Sequence, residues 1–499
     1  MSAGLDPRFT TLPLDALADA ALSRAKALGA THADVRIARI RNGERRLRDG
    51  ALESSADATD LGIGVRVIHS RSWGFAAGIT LTTDAAASLA DQAVAAARIS
   101  RPLTSRPVEL APEPVHVGEW VSPFRIDPFD VDDAERIERL VQLSRSATGP
   151  GVDHVTARID MIDEHKFYAD LAGSRTVQRR VRVLPQVEVM STSDGYHSMR
   201  TTNPPAARGW EFVAFGEGWD LDAEVAQLPT WLAEQVAAPS IEAGRYDLVI
   251  EPTNLWLTIH ESVAHATELD RALGYEAAYA GTSFATIDTL GSLRYGSDVM
   301  AVTGDRVAEH GLASCGWDDE GVEAQTFDIV RDGVHVGYQL NRQMAHEQGL
   351  GRSNGCAFAD SSGHIPLQRM PNVSLQPAQS EITVSDLVGR VQRGLYVVGD
   401  KSWSIDMQRY NFQFTGQRFY AIENGRIAGQ VADAAYQATT TEFWGSMEAV
   451  GGPGTYKLMG ALDCGKGQPG QSAPVSHGAP AALFRSVNVL NTQAERGHE

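Results

Sequence analysis

Leu14, Leu17, Ala21, Leu22 and Leu28 recur at helical spacing, with Thr11 and Pro13 before them and Gly29 after, which predicts an amphipathic helix with start and stop signals. The next stretch, ADVRIARIRNG, sets Val35, Ile37 and Ile40 among polar residues, and Asn42-Gly43 reads as a hairpin turn. A second hairpin is expected from LGIGVRVI through Ser70 to WGFAAGI. Thr82 or Thr83 then caps a helix carrying Leu89, Ala93, Val94 and Ala97 on one face. Helix, antiparallel strands, helix is the order of a sheet packed on helices.

Farther along, RPLTSRPVELAPEPVHVGEW reads as a Pro-containing connection over residues 101–120. DDAERIERLVQLSRSA reads as a helix, VTARIDMI and RRVRVLPQVEVMS as strands, and roughly 220–237 as a further helix. EAGRYDLVIEP opens a new strand, so the main boundary is expected near Ala243. HVGYQLNRQ, LYVVGD, FQFTG and RFYAIENGRIAGQV then read as strands. The fold class expected is α+β: an N-terminal domain (1–242) with an antiparallel sheet packed on helices, and a β-rich C-terminal domain (243–499). No short-period repeat interrupts this order.

A chain of 499 residues with 43% hydrophobic and 21% charged side chains fits an ordinary globular protein of more than one domain. No apolar run is long enough for a membrane helix, and the N-terminus lacks a basic leader followed by an apolar stretch. A formal charge of −19 repels phosphate backbones. Neither a membrane nor a nucleic acid is therefore expected as a partner. Cys315, Cys356 and Cys464 are odd in number and far apart, which suits reduced thiols in the cytoplasm.

The chemistry concentrates in the one helical pattern of the second half, Asn254 to about Leu273, with Thr253 as the expected N-cap. It carries His260, Glu261 and His265 in the spacing H-E-x-x-x-H. In H-E-x-x-H both imidazoles share one helix face. Five apart they diverge by about 140° on a regular helix. They reach one ion only if the helix widens into a π-bulge or ends between them, so distorted backbone is expected around Ser262 to Ala264. Neutral imidazoles suit zinc, and a catalytic zinc takes three protein ligands and leaves a position for water. The ion lowers the pKa of that water, and Glu261 is placed to take its proton and pass it to a leaving amine. Spacing leaves the third ligand open among Glu268, Cys464 and His477. Cys464 is the soft donor of the three, and it lies in the glycine-rich segment LDCGKGQPGQ.

HESVAHATELDR followed by AYAGTSFAT resembles the signature of the TldD/PmbA family of peptidases. ADVRIARIRNGERRLRDGALESS and GIGVRVIHSRSWGFAAG upstream resemble that family too. So do WDDEGVEAQ, the segment around Arg369, Met370 and Asn372, and CGKGQ downstream, all in the family's order. The resemblance implies one zinc per chain on His260, His265 and Cys464, with Glu261 as general base. It also implies an unfolded peptide or protein as substrate, and either a PmbA/TldE-like paralogous subunit or a homo-oligomer as assembly. An extended peptide added as a strand in a groove would suit the β-rich half. Two competing readings are a non-catalytic peptide- or partner-binding subunit with a structural zinc, and a zinc amidohydrolase acting on small molecules.

Other residues read as structural. Asp318, Asp319 and Glu320 are expected in a solvated turn or at a substrate amine, His346-Glu347 on a surface helix, Cys315 and Cys356 as thiols of the core or near the surface, and Trp444 in the core or a groove wall. His477, a short loop after Cys464, is weighed as an oxyanion donor against plain hydrogen bonding. Gly451, Gly452 and Gly454 lack the Lys-Ser/Thr of a phosphate loop, so nucleotide binding is rejected.

Overall fold

The computed structural model describes residues 4–193 and 195–493. Its first half is built on one seven-stranded sheet. The strands run in the order Ser72–Gly78, Ala51–His69, His32–Arg48, His154–Asp170, Arg175–Ser191 and Val117–Val121, with His197–Arg200 added to Arg175–Ser191. All neighbours are antiparallel except Val117–Val121, which runs parallel to Arg175–Ser191. Side-chain alternation sorts the long strands into two faces. Val35, Ile37 and Leu47, with Val155, Ala157, Ile159, Met161, Phe167 and Ala169, point to the helical side. There the helices Leu14–Ala27 and Thr83–Ser100 cover one end, while Asp133–Ser146 and Leu221–Ala237 cover the other. Gly74 lets Thr83–Ser100 close on the sheet, since a Cβ there would meet the Ala93 carbonyl at 1.9 Å.

The opposite face buries charge. Arg66 reaches Glu320 at 2.9 Å and Lys166 reaches Asp319 at 2.7 Å, while the Asp318 carboxylate accepts backbone N–H groups of Glu320, Val322 and Ala357 at 2.8–2.9 Å. Asp318, Asp319 and Glu320 are all buried. This corrects the solvated turn: the acidic run seals one half of the protein against the other.

The second half is organised by a closed barrel. Strands Gly244–Ile250, Ala482–Asn491, Ala434–Thr439, Asn411–Glu423 and Arg393–Ile405 pair in a ring, with Arg426–Val431 and Met447–Val450 attached. The architecture is α+β with a β-rich C-terminal half, as expected. No helix among the described residues is long and apolar enough to cross a membrane.

Two readings of local structure need correction. Asn42-Gly43 is not a turn: His32–Arg48 runs straight through it, paired on both sides, and a Cβ at Gly43 would press on Met161 and Phe129 at 2.9 Å. The hairpin turns instead at Asp49-Gly50, both at positive φ (51° and 77°). Likewise HVGYQLNRQ is not a strand: only its first residue, His335, belongs to one, the two-residue Val334–His335, and its end enters the helix Arg342–Glu347. Its buried Tyr338 and Gln339 pack against the segment after His265 instead of extending a ladder.

Candidate metal centre

Strand Gly244–Ile250 delivers the chain into the helix Pro252–Ile259, every residue of which is buried. Proline occupies the first helical position, where its missing N–H costs nothing. The N-cap position falls on Glu251, and Thr253 lies inside the first turn with its hydroxyl donated to the Glu251 carboxylate. The expected Thr253 cap is therefore displaced by two residues.

At His260 the helix widens. His260–Ala264 forms a π-turn, closed by a bond from the His265 N–H to the His260 carbonyl, and a short 3-10 turn His265–Thr267 follows. An i to i+5 bond stacks residues five apart, so the two imidazoles that a regular helix would splay now lie with ring centroids 4.6 Å apart. The surroundings pin the widened turn. Ser262 Oγ donates to the Thr258 carbonyl at 2.6 Å and accepts from Trp444 Nε1 at 2.9 Å, Tyr295 donates its hydroxyl to the Ser262 carbonyl, and Gln339 Nε2 donates to the Ala264 carbonyl at 2.5 Å.

Cys464 arrives on the hairpin Lys457–Lys466 and Gln471–Ala479, immediately after a bulge where the register slips between Ala461 and Cys464. A bulge re-aims the side chains that follow it. Cys464 Sγ lies 3.6 Å from His265 Nε2, and ligand atoms of His260, His265 and Cys464 all fall within 4.8 Å of one another. All three residues are buried.

Their protonation is set from behind. His477 Nδ1 faces the Val373 carbonyl at 2.9 Å, which requires its proton there. Its Nε2 is then an acceptor, and it sits 2.8 Å from His260 Nδ1. His260 must donate from Nδ1, leaving its Nε2 lone pair free. Glu268 does the same for His265, with Oε2 2.9 Å from Nδ1. Both histidines thus present an unprotonated Nε2 to the side where the thiol lies, the form that a metal needs. Burial holds the pKa of His260 below the ordinary imidazole range, and those of His265 and His477 well below it. Burial pushes the Cys464 thiol up to about 11, with the Arg369 guanidinium acting in the opposite sense.

Glu268 is not positioned as a ligand. It is fully buried, and although burial opposes its ionisation, Lys466 (Nζ to Oε1, 3.1 Å) and its bond to His265 hold its pKa well below the carboxylate range. Lys466 also meets Asp270 at 2.8 Å and Glu276 at 3.2 Å. His477 likewise lies behind His260, away from the cavity, which leaves the hydrogen-bonding reading of it and not the oxyanion one.

Glu261 faces a cavity of about 1060 Å³ lying between the two halves. Asn42, Asp160 and Arg182 line it from the first sheet, and Trp256, Asp400 and Asp463 line it from the second half. Arg409 Nη1 holds the Glu261 carboxylate at 2.7 Å. Arg409 escaped the sequence reading, and Arg369 entered it only as part of a block that resembles the family, because nothing near either one in the chain marks a partner so distant. Cys315 and Cys356 are buried core thiols, Trp444 is buried, and His346 lies exposed on a short helix. Asp6, Asp163 and His165 also bring ligand atoms together, but Arg8, Arg39 and Arg179 already occupy the two carboxylates.

Residues 243–491 match the model of the PmbA/TldA metallopeptidase C-terminal domain, and residues 33–97 match that of PmbA/TldA metallopeptidase domain 1. A protein named metalloprotease from Methanothermobacter thermautotrophicus is 25% identical over 461 residues, which span 92% of this chain and 96% of that one. The zinc metalloprotease TldD homolog of Saccharolobus solfataricus is 22% identical over 488 residues, spanning 94% and 98%. Among solved structures, TldE from Thermococcus kodakarensis superposes with a TM-score of 0.69 at 14% identity, covering 94% of this chain and 98% of that one.

Proposed function

Since the chain belongs to the PmbA/TldD metallopeptidase family, we propose that it is a zinc-dependent peptidase acting on unfolded peptides or proteins. His260, His265 and Cys464 are the ligands in this reading, and Glu261 is the general base. The observation that carries it is the convergence of two unprotonated Nε2 atoms and one sulfur beside a cavity that Glu261 also lines. The donor set fits the ion: two neutral imidazoles and a thiolate suit zinc and leave a fourth tetrahedral position for water or substrate.

When bound, zinc supplies Lewis acidity toward a water and the scissile carbonyl. The remaining work falls to the side chains. Glu261 takes the water's proton and hands it to the amide nitrogen as the C–N bond breaks. Arg409 keeps the Glu261 carboxylate aimed at the cavity. Strand Lys457–Lys466 pairs with Gln471–Ala479 along one edge, and no strand among the described residues pairs with its other edge. Met459 to Gly465 line the cavity, so a peptide in extended form can add to that strand through its backbone and bring a carbonyl to Cys464. Assembly with a PmbA/TldE-like subunit or a second copy belongs to this reading, supported by the likeness to TldE.

Metal analysis and peptide cleavage test the assignment together. Protein purified without added metal should hold about one zinc per chain. Glu261→Gln should keep the zinc and lose roughly 10²- to 10⁴-fold in rate. Cys464→Ala should lose both. Cleavage by Glu261→Gln at the wild-type rate would remove Glu261 as the base and favour a structural zinc.

A further inference from the structure

The barrel strand Arg393–Ile405 sends two residues into the cavity beside the metal centre, Asp400 and Trp403. Side chains alternate along a strand, so residues three apart belong on opposite faces. These two share one because the ladder with Asn411–Glu423 slips between them. Asp400 pairs with Gly416 and Trp403 with Phe414, which leaves Lys401 and Ser402 together opposite Thr415. That is a bulge, and a bulge re-aims the side chain that follows it. Thr415 pins it: its Oγ1 accepts the Ser402 N–H at 2.9 Å, donates to the Ser402 carbonyl at 3.2 Å and lies 2.7 Å from Ser402 Oγ.

The indole so aimed has no polar or aromatic partner. Trp403 is 55% exposed, and among the described residues no other large apolar side chain that lines the cavity is exposed. Its ring meets no other aromatic ring and no cation, and its Nε1 has no hydrogen-bond partner among them. The other tryptophan of the cavity differs on each count. Trp256 is 8% exposed, stacks on His477 and donates Nε1 to Asp400 at 3.2 Å. An apolar side chain exposed singly on a surface needs no explanation. Trp403 does, because a backbone irregularity held by one threonine turns it into the cavity that Glu261 also lines.

We propose that Trp403 is a specificity-determining residue, the wall of a subsite for a large apolar or aromatic side chain of the peptide. This rests on the peptidase reading given above and narrows it to peptides that carry such a residue near the scissile bond. Two properties of the ring select the class. Its free face gains most by covering apolar area, more than a cation gains on a ring still open to water. Its free N–H is a donor for a backbone carbonyl of the same peptide, which fixes position without selecting a side chain. Ile40, Ile162 and Leu184, half-buried on the first sheet, add apolar wall to the cavity.

The test scans one phenylalanine, and separately one lysine, through successive positions of a peptide made otherwise of alanine, glycine and serine. Wild type should cleave the peptide with Phe at one position, or at two adjacent ones, with a kcat/KM about 10- to 100-fold above that for Ala there. In Trp403→Ala this ratio should fall to near one, while Trp403→Phe should keep most of it. Thr415→Val retains the indole but frees the bulge, and should lose part of the ratio. Fluorescence anisotropy of a labelled Phe peptide on Glu261→Gln protein reads binding apart from cleavage, and adding Trp403→Ala should weaken it by a similar factor. A ratio that survives in Trp403→Ala, an undiminished ratio in Thr415→Val, no preference in wild type, or a preference for Lys over Phe each overturns the proposal. If wild type neither cleaves nor binds any of the peptides, the peptidase reading fails and the subsite falls with it. Preferential binding of the Phe peptide without cleavage would remove the catalytic reading and leave the subsite standing.

Discussion

His477 Nε2 lies 2.8 Å from His260 Nδ1, and its own Nδ1 lies 2.9 Å from the Val373 carbonyl. A backbone carbonyl only accepts, so it dictates the tautomer of His477, and through it that of His260. A main-chain oxygen far along the sequence thereby decides which nitrogen of a candidate ligand is free.

His477→Phe should therefore loosen zinc by about 10- to 100-fold, since nothing then accepts the His260 Nδ1 proton and the ring loses its orientation. His477→Gln keeps an acceptor and should retain much of the affinity. Chelator competition on both variants checks the ordering; equal affinities for Phe and Gln would show that packing alone matters.

Arg409 occupies a left-handed backbone position (φ 62°) in a loop tied down by Asp406, whose carboxylate accepts the N–H groups of Gln408, Tyr410 and Asn411. This strapped loop presents the guanidinium to Glu261. Arg409→Met should lower kcat by about a hundredfold, the order expected when a reacting group is misplaced by about an ångström. KM and zinc content should stay close to wild type. A KM effect with kcat intact would make Arg409 a substrate-binding residue instead.

His335 is fully buried, and burial holds its pKa at about 4, against an ordinary value of 6.5. The folded form therefore binds fewer protons than the unfolded chain between these values. The stability it contributes is present above pH 6.5 and is lost as pH falls toward 4. At one pK unit per 1.36 kcal/mol the loss is on the order of 3 kcal/mol. Melting curves should show a fall over that window that is shallower in His335→Gln; identical slopes would locate the acid sensitivity elsewhere.

Much of this architecture was legible in the chain. The helices Leu14–Ala27, Thr83–Ser100, Asp133–Ser146 and Leu221–Ala237 follow from apolar periodicity, and the distortion at His260–Ala264 followed from asking what lets histidines five apart share an ion. The turn at Asn42-Gly43 was misread because the same Asx-Gly chemistry recurs at Asp49-Gly50, and a local rule cannot choose between two instances. Packing chose, since Gly43 lies under Met161 and Phe129 with no room for a side chain. The acidic run Asp318–Glu320 was misread for a related reason: Arg66 and Lys166, which bury it, are more than 150 residues away.

What the sequence determined by itself was the local grammar: helix and strand periods, the motif His260-Glu261-x-x-x-His265, and the soft donor Cys464 among its glycines. Tertiary structure decided the closure of the barrel, the meeting of Cys464 with His265 across 199 residues, the assignment of His477 and Glu268 to the back of the imidazoles, and the contact of Arg369 with the Cys464 carbonyl. The physical reason is range. Periodicity and capping act within a few residues, where the sequence can be read directly. Tautomer, charge balance and ligand geometry depend on through-space neighbours, which exist only once the chain has folded.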